Sequence, residues 1–447
     1  MTDSLRLTPF EQCMVFEHSI AYPCYCFMRL HFQGNVCREH FELALADALR
    51  DHPLLRATLQ PGRKARWAFP ENVRPQVSWR DGTTGGSLSP AVDIDLHTTT
   101  GMHVFVVQDV AKADITFQFH HACCDGAGID RFAEDFLVSY AGYRGGQRRK
   151  RAHHKVDSSR LISRGSSSQS WRAKLKWLPK QLVGLVGAAQ FCGRRPQPVV
   201  SHSRRDRHIP SSAHYPSQAS FRFDSISTLN LRKSAVSQEV AFHELVVRDF
   251  FLALWEWQKE LAQYNDDVWI RMMVPINMRN SSYRSLPAIN CVSSIFLDRR
   301  GTDGDDPQRL LKGIQDEMNL IKKYELKHTF LILLKVLSMI PGAMKRSVQR
   351  DACKTTVVFS SLGKWLRRCP LPRREGSLEV GDLRLLDIDG FAPIGPYNCL
   401  TVFTSEYANR LKINLHFDAE FVNEEKSKSL MRIFVSRLHD SANVTID

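Results

Sequence analysis

The feature that most constrains this chain is an abrupt change of period around one short motif. From Asp114 to His120 the residues alternate, with Ile115, Phe117 and Phe119 on one face and Thr116, Gln118 and His120 on the other, which is the pattern of a strand. From Ile129 onward, Phe132, Ala133, Phe136, Leu137 and Tyr140 recur at helical spacing. Between the two stands His120-His121-Ala122-Cys123-Cys124-Asp125-Gly126. The chain must therefore turn from a strand into a helix at this motif, and reactive groups are often mounted where a rigid strand ends.

The residue types at that turn suit acyl transfer. Histidine has an ordinary pKa near neutrality and can accept a proton at pH 7. An Asp four residues later can fold back and fix the turn, or cap the helix that follows. A Gly allows close backbone approach, and a helix N-terminus offers N–H groups to a developing oxyanion. General base, orienting carboxylate and oxyanion donor together match attack of an alcohol or amine on an acyl carbon. The competing readings are a core histidine at 121 and a Cys–His nucleophilic pair using Cys123 or Cys124. No Gly-x-Ser-x-Gly elbow is found.

His-His-x-x-x-Asp-Gly is the signature of the superfamily of chloramphenicol acetyltransferase, peptide-synthetase condensation domains, polyketide-associated acyltransferases, plant BAHD acyltransferases and wax ester synthases, and this chain resembles it. At average residue usage a chance match of those four positions is on the order of one in a thousand, so the resemblance carries weight. His52-Pro53-Leu54-Leu55-Arg56 after a helix resembles the family's first helix and strand. Val274-Pro275-Ile276-Asn277-Met278-Arg279 resembles its Pro-x-x-x-Arg strand end, and Asn290 its Gly-Asn segment, with Ile289 in place of the Gly. Leu411 to Leu438 resembles the closing strand and helix. The BAHD Asp-Phe-Gly-Trp-Gly motif is absent, and Ser360-Ser361-Leu362-Gly363 matches the corresponding wax ester synthase segment only weakly.

The resemblance implies an α/β (α+β) fold of two chloramphenicol acetyltransferase-like subdomains forming a V, with an active-site tunnel between them. It implies His121 as general base, Gly126 N–H as oxyanion donor, Asp125 ion-paired to an Arg of the second half, for which Arg279 is the candidate, and His120 as support for the loop. Asn290, Ser360 and Ser361 are placed as substrate-binding or supporting residues. The activity implied is that of a stand-alone acyltransferase acting on acyl-CoA or an acyl carrier protein. Its alternatives are a carrier-protein-dependent condensation enzyme, or a silent scaffold of the same fold. No cofactor is expected, because the CoA or phosphopantetheine thioester is itself substrate.

The remaining pattern supplies the organisation. A chain of 447 residues suits two domains of roughly 200 residues each. The expected division is 1–145, a basic linker over 146–215, and 216–447. Helical periodicity is read over 37–50, about 239–259, 307–323 and about 424–438, and strands over 55–59, 102–108, 219–223, 269–275, 292–297, 355–359, 399–404 and 411–417. Gly82 to Pro90 reads as a loop. The net charge is +14, and from Arg144 to Arg207 the only acids are Asp157 and Asp206. Such a segment attracts anionic partners: CoA phosphates, an acidic carrier protein or a lipid surface. Nucleic acid is disfavoured, since few aromatics interleave the charges. An apolar stripe of Trp171, Leu175, Leu178, Leu182 and Leu185 beside Arg172, Lys174, Lys176 and Lys180 suggests peripheral membrane contact through 171–186, against packing on its own protein. No basic-then-apolar leader opens the sequence and no apolar run reaches about 18 residues, so a cytoplasmic location is expected, with membrane association as the alternative. The nearest such run, Thr329 to Ile340, is read as a core helix. The eleven cysteines are scattered and are read as reduced thiols, with spacing unsuited to metal.

Overall fold

The computed structural model describes residues 4–443 except 61, 63–64, 71–72, 85–90, 146–160, 163, 165–179, 201–216 and 280–285. Most of the 171–186 stripe, and part of the 82–90 loop, thus lie outside the described residues.

The first part of the chain runs β1 (Ser4–Arg6), α1 (Pro9–Glu17), β2 (Tyr25–Gln33), α2 (Arg38–Asp51), β3 (Thr58–Gln60), β4 (Arg66–Ala68), β5 (Gln76–Asp81), β6 (Met102–Gln108), β7 (Lys112–His120) and α3 (Gly126–Arg144). After α4 (Gln181–Gly193) come β8 (Ser217–Arg222), α5 (Ser225–Ser237), α6 (Phe242–Glu260), β9 (Ile270–Asn277), β10 (Val292–Arg299), α7 (Pro307–Lys323), α8 (Thr329–Met339) and α9 (Ala343–Gln349). The chain closes with β11 (Val357–Lys364), β12 (Arg373–Arg374), β13 (Ser377–Val380), β14 (Leu383–Phe391), β15 (Leu400–Tyr407), β16 (Arg410–Phe417) and α10 (Glu424–Ala442).

Each of the two large sheets has its own apolar core. Among the described residues one sheet has the order β12-β13-β14-β2-β7-β6-β5 and the other β10-β9-β11-β15-β16-β8; β1-β4-β3 form a small third sheet. Strand β7 sits inside the first sheet, antiparallel to both β2 and β6. Both of its faces are buried although its sequence alternates, because α3 covers the Phe117 face and the segment at Val92 bonds to Gln118 on the other. Phe117 packs edge-on against Phe132 and Phe136 of α3, at 5.4 and 5.6 Å between ring centres, which clamps the helix to the strand it follows.

The sheets do not respect the boundary drawn along the sequence. Strands β12, β13 and β14 come from the last quarter of the chain, yet they extend the sheet that carries the motif, with β14 antiparallel to β2. Two features hold the crossover. A Cβ on Gly390 would lie 2.5 Å from the Phe403 ring, so the close passage of β14 over β15 needs a glycine. His31 of β2 places Nδ1 2.8 Å from Asp114 of β7 and Nε2 2.7 Å from Asp389 of β14. Burial alone would lower the His31 pKa, but the two carboxylates raise it above the ordinary value.

Two local expectations are corrected. Residues 55–59 are not one strand: Pro53–Arg56 is a turn of 3₁₀ helix, and only Thr58–Gln60 is extended. The fixed φ of Pro53 favours the tight turn. The run Thr329 to Ile340 is helical, but only one face of it joins a core, through Leu334 with Phe330, Leu331 and Leu337 packed beside it. Only Leu334 of α8 is buried, whereas Val336, Met339 and Ile340 are 49, 74 and 50% exposed. A helix that is apolar all round carries no local sign of which face is covered.

Candidate active site

The motif lies at the junction of β7 and α3. His120 is the last residue of β7, buried, and its Nδ1 accepts from Ala122 N–H at 3.1 Å. Burial, with His18 and His121 nearby, holds its pKa well below the ordinary histidine value. A neutral ring tied into the turn suits a supporting role.

His121 is arranged differently. Its Nδ1 lies 3.1 Å from the Cys124 carbonyl, which can only accept, so Nδ1 carries the proton and Nε2 is left as the basic atom. The Phe10 ring meets the imidazole edge-on at 5.8 Å. Burial lowers the His121 pKa and the Asp125 charge opposes that effect; the balance is a lowered value. The ring is therefore neutral at pH 7, as a base must be. It lines a cavity of about 420 Å³ whose walls come from both halves of the chain, including Phe10, Met14 and Phe27 on one side and Met273, Val358 and Ser360 on the other.

Asp125 fixes the turn from three directions. One oxygen accepts from Gly128 N–H at 2.8 Å, capping α3. The Arg279 guanidinium donates to both carboxylate oxygens, at 2.8 and 2.9 Å, in a bidentate pair. Cys291 N–H donates to Oδ2 at 2.7 Å. Arg279 also donates to Ile289 O at 2.8 Å, so it binds the second half to the motif and to itself. Asn290 Nδ2 donates to His121 O at 2.8 Å and Ala122 O at 2.9 Å. Gly126 is the first residue of α3, so its N–H is among those with no acceptor within the helix. It lines the cavity, and a Cβ there would meet only Leu362 at 3.4 Å. Ser360 and Ser361 lie on β11 and also line the cavity, where no hydrogen bond ties them to the motif among the described residues.

The cysteines of the motif do not reach this space. Cys123 and Cys124 are fully buried, do not line the cavity, and burial pushes both thiols far up, away from the reactive thiolate. All eleven cysteines are unpaired. Among the described residues no group of three or more His, Cys, Asp or Glu side chains is placed to hold a metal ion.

Several contributors went unread in the sequence. Gly128 is needed because a Cβ there would sit 2.9 Å from Ile289 O and 3.1 Å from Ile289 N. His52 accepts from Ala288 N–H at Nδ1 (2.8 Å) and contacts Asp135 through Nε2 (3.0 Å), a second tie between the halves. His18 stacks on His120 at 4.9 Å and lines the cavity. The only available signal was the glycine two residues past the motif; nothing local distinguishes His18 or His52 from other histidines.

Neither a family model nor a curated protein matches this sequence. Solved structures do. The first condensation domain of the calcium-dependent antibiotic synthetase, in complex with a substrate analogue, superposes with a TM-score of 0.71 at 14% identity, covering 99% of this chain and 97% of that one. The starter condensation domain of rhizomide synthetase, a mutant in complex with C8-CoA and Leu-SNAC, gives 0.71 at 12% identity, with 99 and 95% covered. The epimerization domain from the third module of tyrocidine synthetase B gives 0.64 at 13% identity, with 98 and 97% covered. The fold is that of a condensation domain. It comprises two chloramphenicol acetyltransferase-like subdomains in a V, with the cavity at His121 between them.

Proposed function

We propose that this chain transfers an acyl group from a thioester to an amine or hydroxyl acceptor, with His121 as general base. The observation that carries the reading is the His121 ring, held by Cys124 O at Nδ1 so that Nε2 is its basic atom, in the lining of a cavity walled by both halves. In the reaction Nε2 takes the acceptor proton as the acceptor N or O attacks the thioester carbonyl carbon. The Gly126 N–H at the start of α3 stabilises the oxyanion. The intermediate collapses, the C–S bond breaks, and the imidazolium returns the proton to the departing thiolate. Asp125 and Arg279 hold the turn, His120 supports it, and Ser360 and Ser361 supply hydroxyls to the cavity wall.

The donor is a phosphopantetheine thioester. The synthetase origin of the similar structures favours a carrier protein as its bearer over free acyl-CoA, although one of them was solved with C8-CoA. The test is release of free thiol from acyl-CoA and from acyl carrier protein, with amine and alcohol acceptors, by wild type and His121→Ala. Acceptor-dependent release that the substitution abolishes is expected, and the donor that works identifies the carrier. Equal turnover by wild type and His121→Ala would overturn the reading.

A further inference from the structure

Much of the exposed apolar surface is gathered on two touching helices beside the cavity. Of the sixteen large apolar residues that are exposed among those described, seven lie on α4 or on α8 and the residue after it: Leu182, Leu185, Val186, Leu333, Val336, Met339 and Ile340. The helices meet where a Cβ on Gly184 would stand 2.8 Å from Thr329 Oγ1. Further along, Phe191 of α4 packs on Phe296 at 4.8 Å, and Phe296 on Phe330 of α8 at 5.8 Å. So the aromatic side chains turn inward and the aliphatic ones remain outside.

Helix α8 is apolar on two opposed sides. Phe330, Leu333, Leu334 and Leu337 line the cavity, Leu333 while still 46% exposed, and Val336, Met339 and Ile340 are exposed without lining it. One helix therefore separates the cavity from the surroundings. The charges on the two segments themselves are of one sign, with Glu325 and Asp351 standing just outside them. No Asp or Glu occurs from Leu326 to Arg350, which holds Lys327, Lys335, Lys345, Arg346 and Arg350. None occurs from Lys180 to Arg195 either, which adds Lys180, Arg194 and Arg195. Lys335, Lys345 and Arg346 are exposed and have no ion-pair partner among the described residues.

We propose that the α4–α8 face docks on an anionic lipid surface and thereby sets the cavity wall against the bilayer. Aliphatic side chains entering the headgroup boundary, flanked by cations, are the chemistry of an interfacial helix. Among the described residues no aromatic side chain is exposed on α4 or α8, whereas the anchors of a protein–protein contact are commonly aromatic. The face lies on the membrane rather than across it. No single described helix is long and apolar enough to span, and the pair that would qualify together, Leu326–Met339 and Ala343–Gln349, is bent by 119°.

The test uses the full chain and flotation with vesicles of phosphatidylcholine alone or mixed with phosphatidylglycerol. Wild type floats with the mixed vesicles, and less as salt rises. The combined substitution Leu182→Ser, Val186→Ser, Val336→Ser and Met339→Ser reduces flotation on the order of tenfold at unchanged melting temperature. Lys345→Glu with Arg346→Glu, which leaves the apolar side chains in place, removes the preference for the anionic lipid. Wild type that stays with the pellet, or substituted protein that floats equally well, would overturn the proposal. So would a dimer, or a complex with an acidic carrier protein, that the apolar substitutions dissolve while flotation persists.

Discussion

The two walls of the cavity are built on opposite principles. At the motif, Asp125 accepts from Gly128, Arg279 and Cys291, and Asn290 and Arg279 reach back to backbone carbonyls, so the polar groups are bound across both halves of the chain. At α8 the wall is one helix thick and apolar inside and out. The first wall fixes the turn that carries His121 from both halves of the chain. The second gives up burial that a core helix would have gained. The difference teaches that placement of His121 depends on a few charged and hydrogen-bonded contacts of very long sequence separation, whereas the α8 wall is held by apolar packing on one face alone.

Substitutions should separate the two walls sharply. The largest effect expected is on rate. His121→Ala lowers kcat by about 10²–10⁴-fold with no loss of melting temperature, since only the base is removed; single-turnover kinetics beside thermal melting measure both. Next comes Arg279→Ala, which leaves the Asp125 carboxylate buried without its cation. A loss of about 3 kcal/mol in unfolding free energy is expected by denaturant titration, together with loss of activity, and Asp125→Asn in the same background should recover part of the stability. Gly128→Ala should cost about 1–3 kcal/mol, because the added methyl meets the Ile289 backbone. Gly126→Ala, meeting only Leu362, should scarcely move stability and should instead discriminate against long acyl chains.

Acidity probes the first wall without a substitution. Burial lowers the His121 pKa, so the base stays neutral below the ordinary value of 6.5, and the acid limb of kcat/KM should have its midpoint below that pH. His31 has the opposite sign: its raised pKa makes its contribution to stability complete below 6.5 and lost as pH rises through the folded value, which melting measured against pH would reveal. The smallest effect belongs to the second wall. Val336→Ser should change stability by no more than about 0.5 kcal/mol. A loss of 2 kcal/mol or more, roughly what burial of such a side chain contributes, would show that this face is covered and would erase the contrast between the walls.

Much of this was legible in the residues. The change from period two to helical period placed the motif on the β7–α3 turn, because hydrophobic periodicity is a local record of which face is buried. The family resemblance named Asp125, Arg279 and Asn290, and these meet in space. The unread parts share a physical cause. Gly128 gives no local sign that Ile289, 161 residues later, will approach within about 3 Å of its missing side chain. His52 reads as a helix stop, and its bond to Ala288 cannot be seen from either segment. The run at Thr329 was taken for core because apolar composition says that a face must be covered, not by what.

The sequence by itself determined the strand and helix on either side of the motif, the turn that presents His121 and the sign of the charge on α4 and α8, since each depends on residues close together in the chain. The tertiary structure decided the rest. It carried β14 across to the motif sheet, joined Asp125 to Arg279, and left α8 as a thin wall. Those outcomes rest on contacts between distant segments, and such contacts exist only after both sheets have formed and packed.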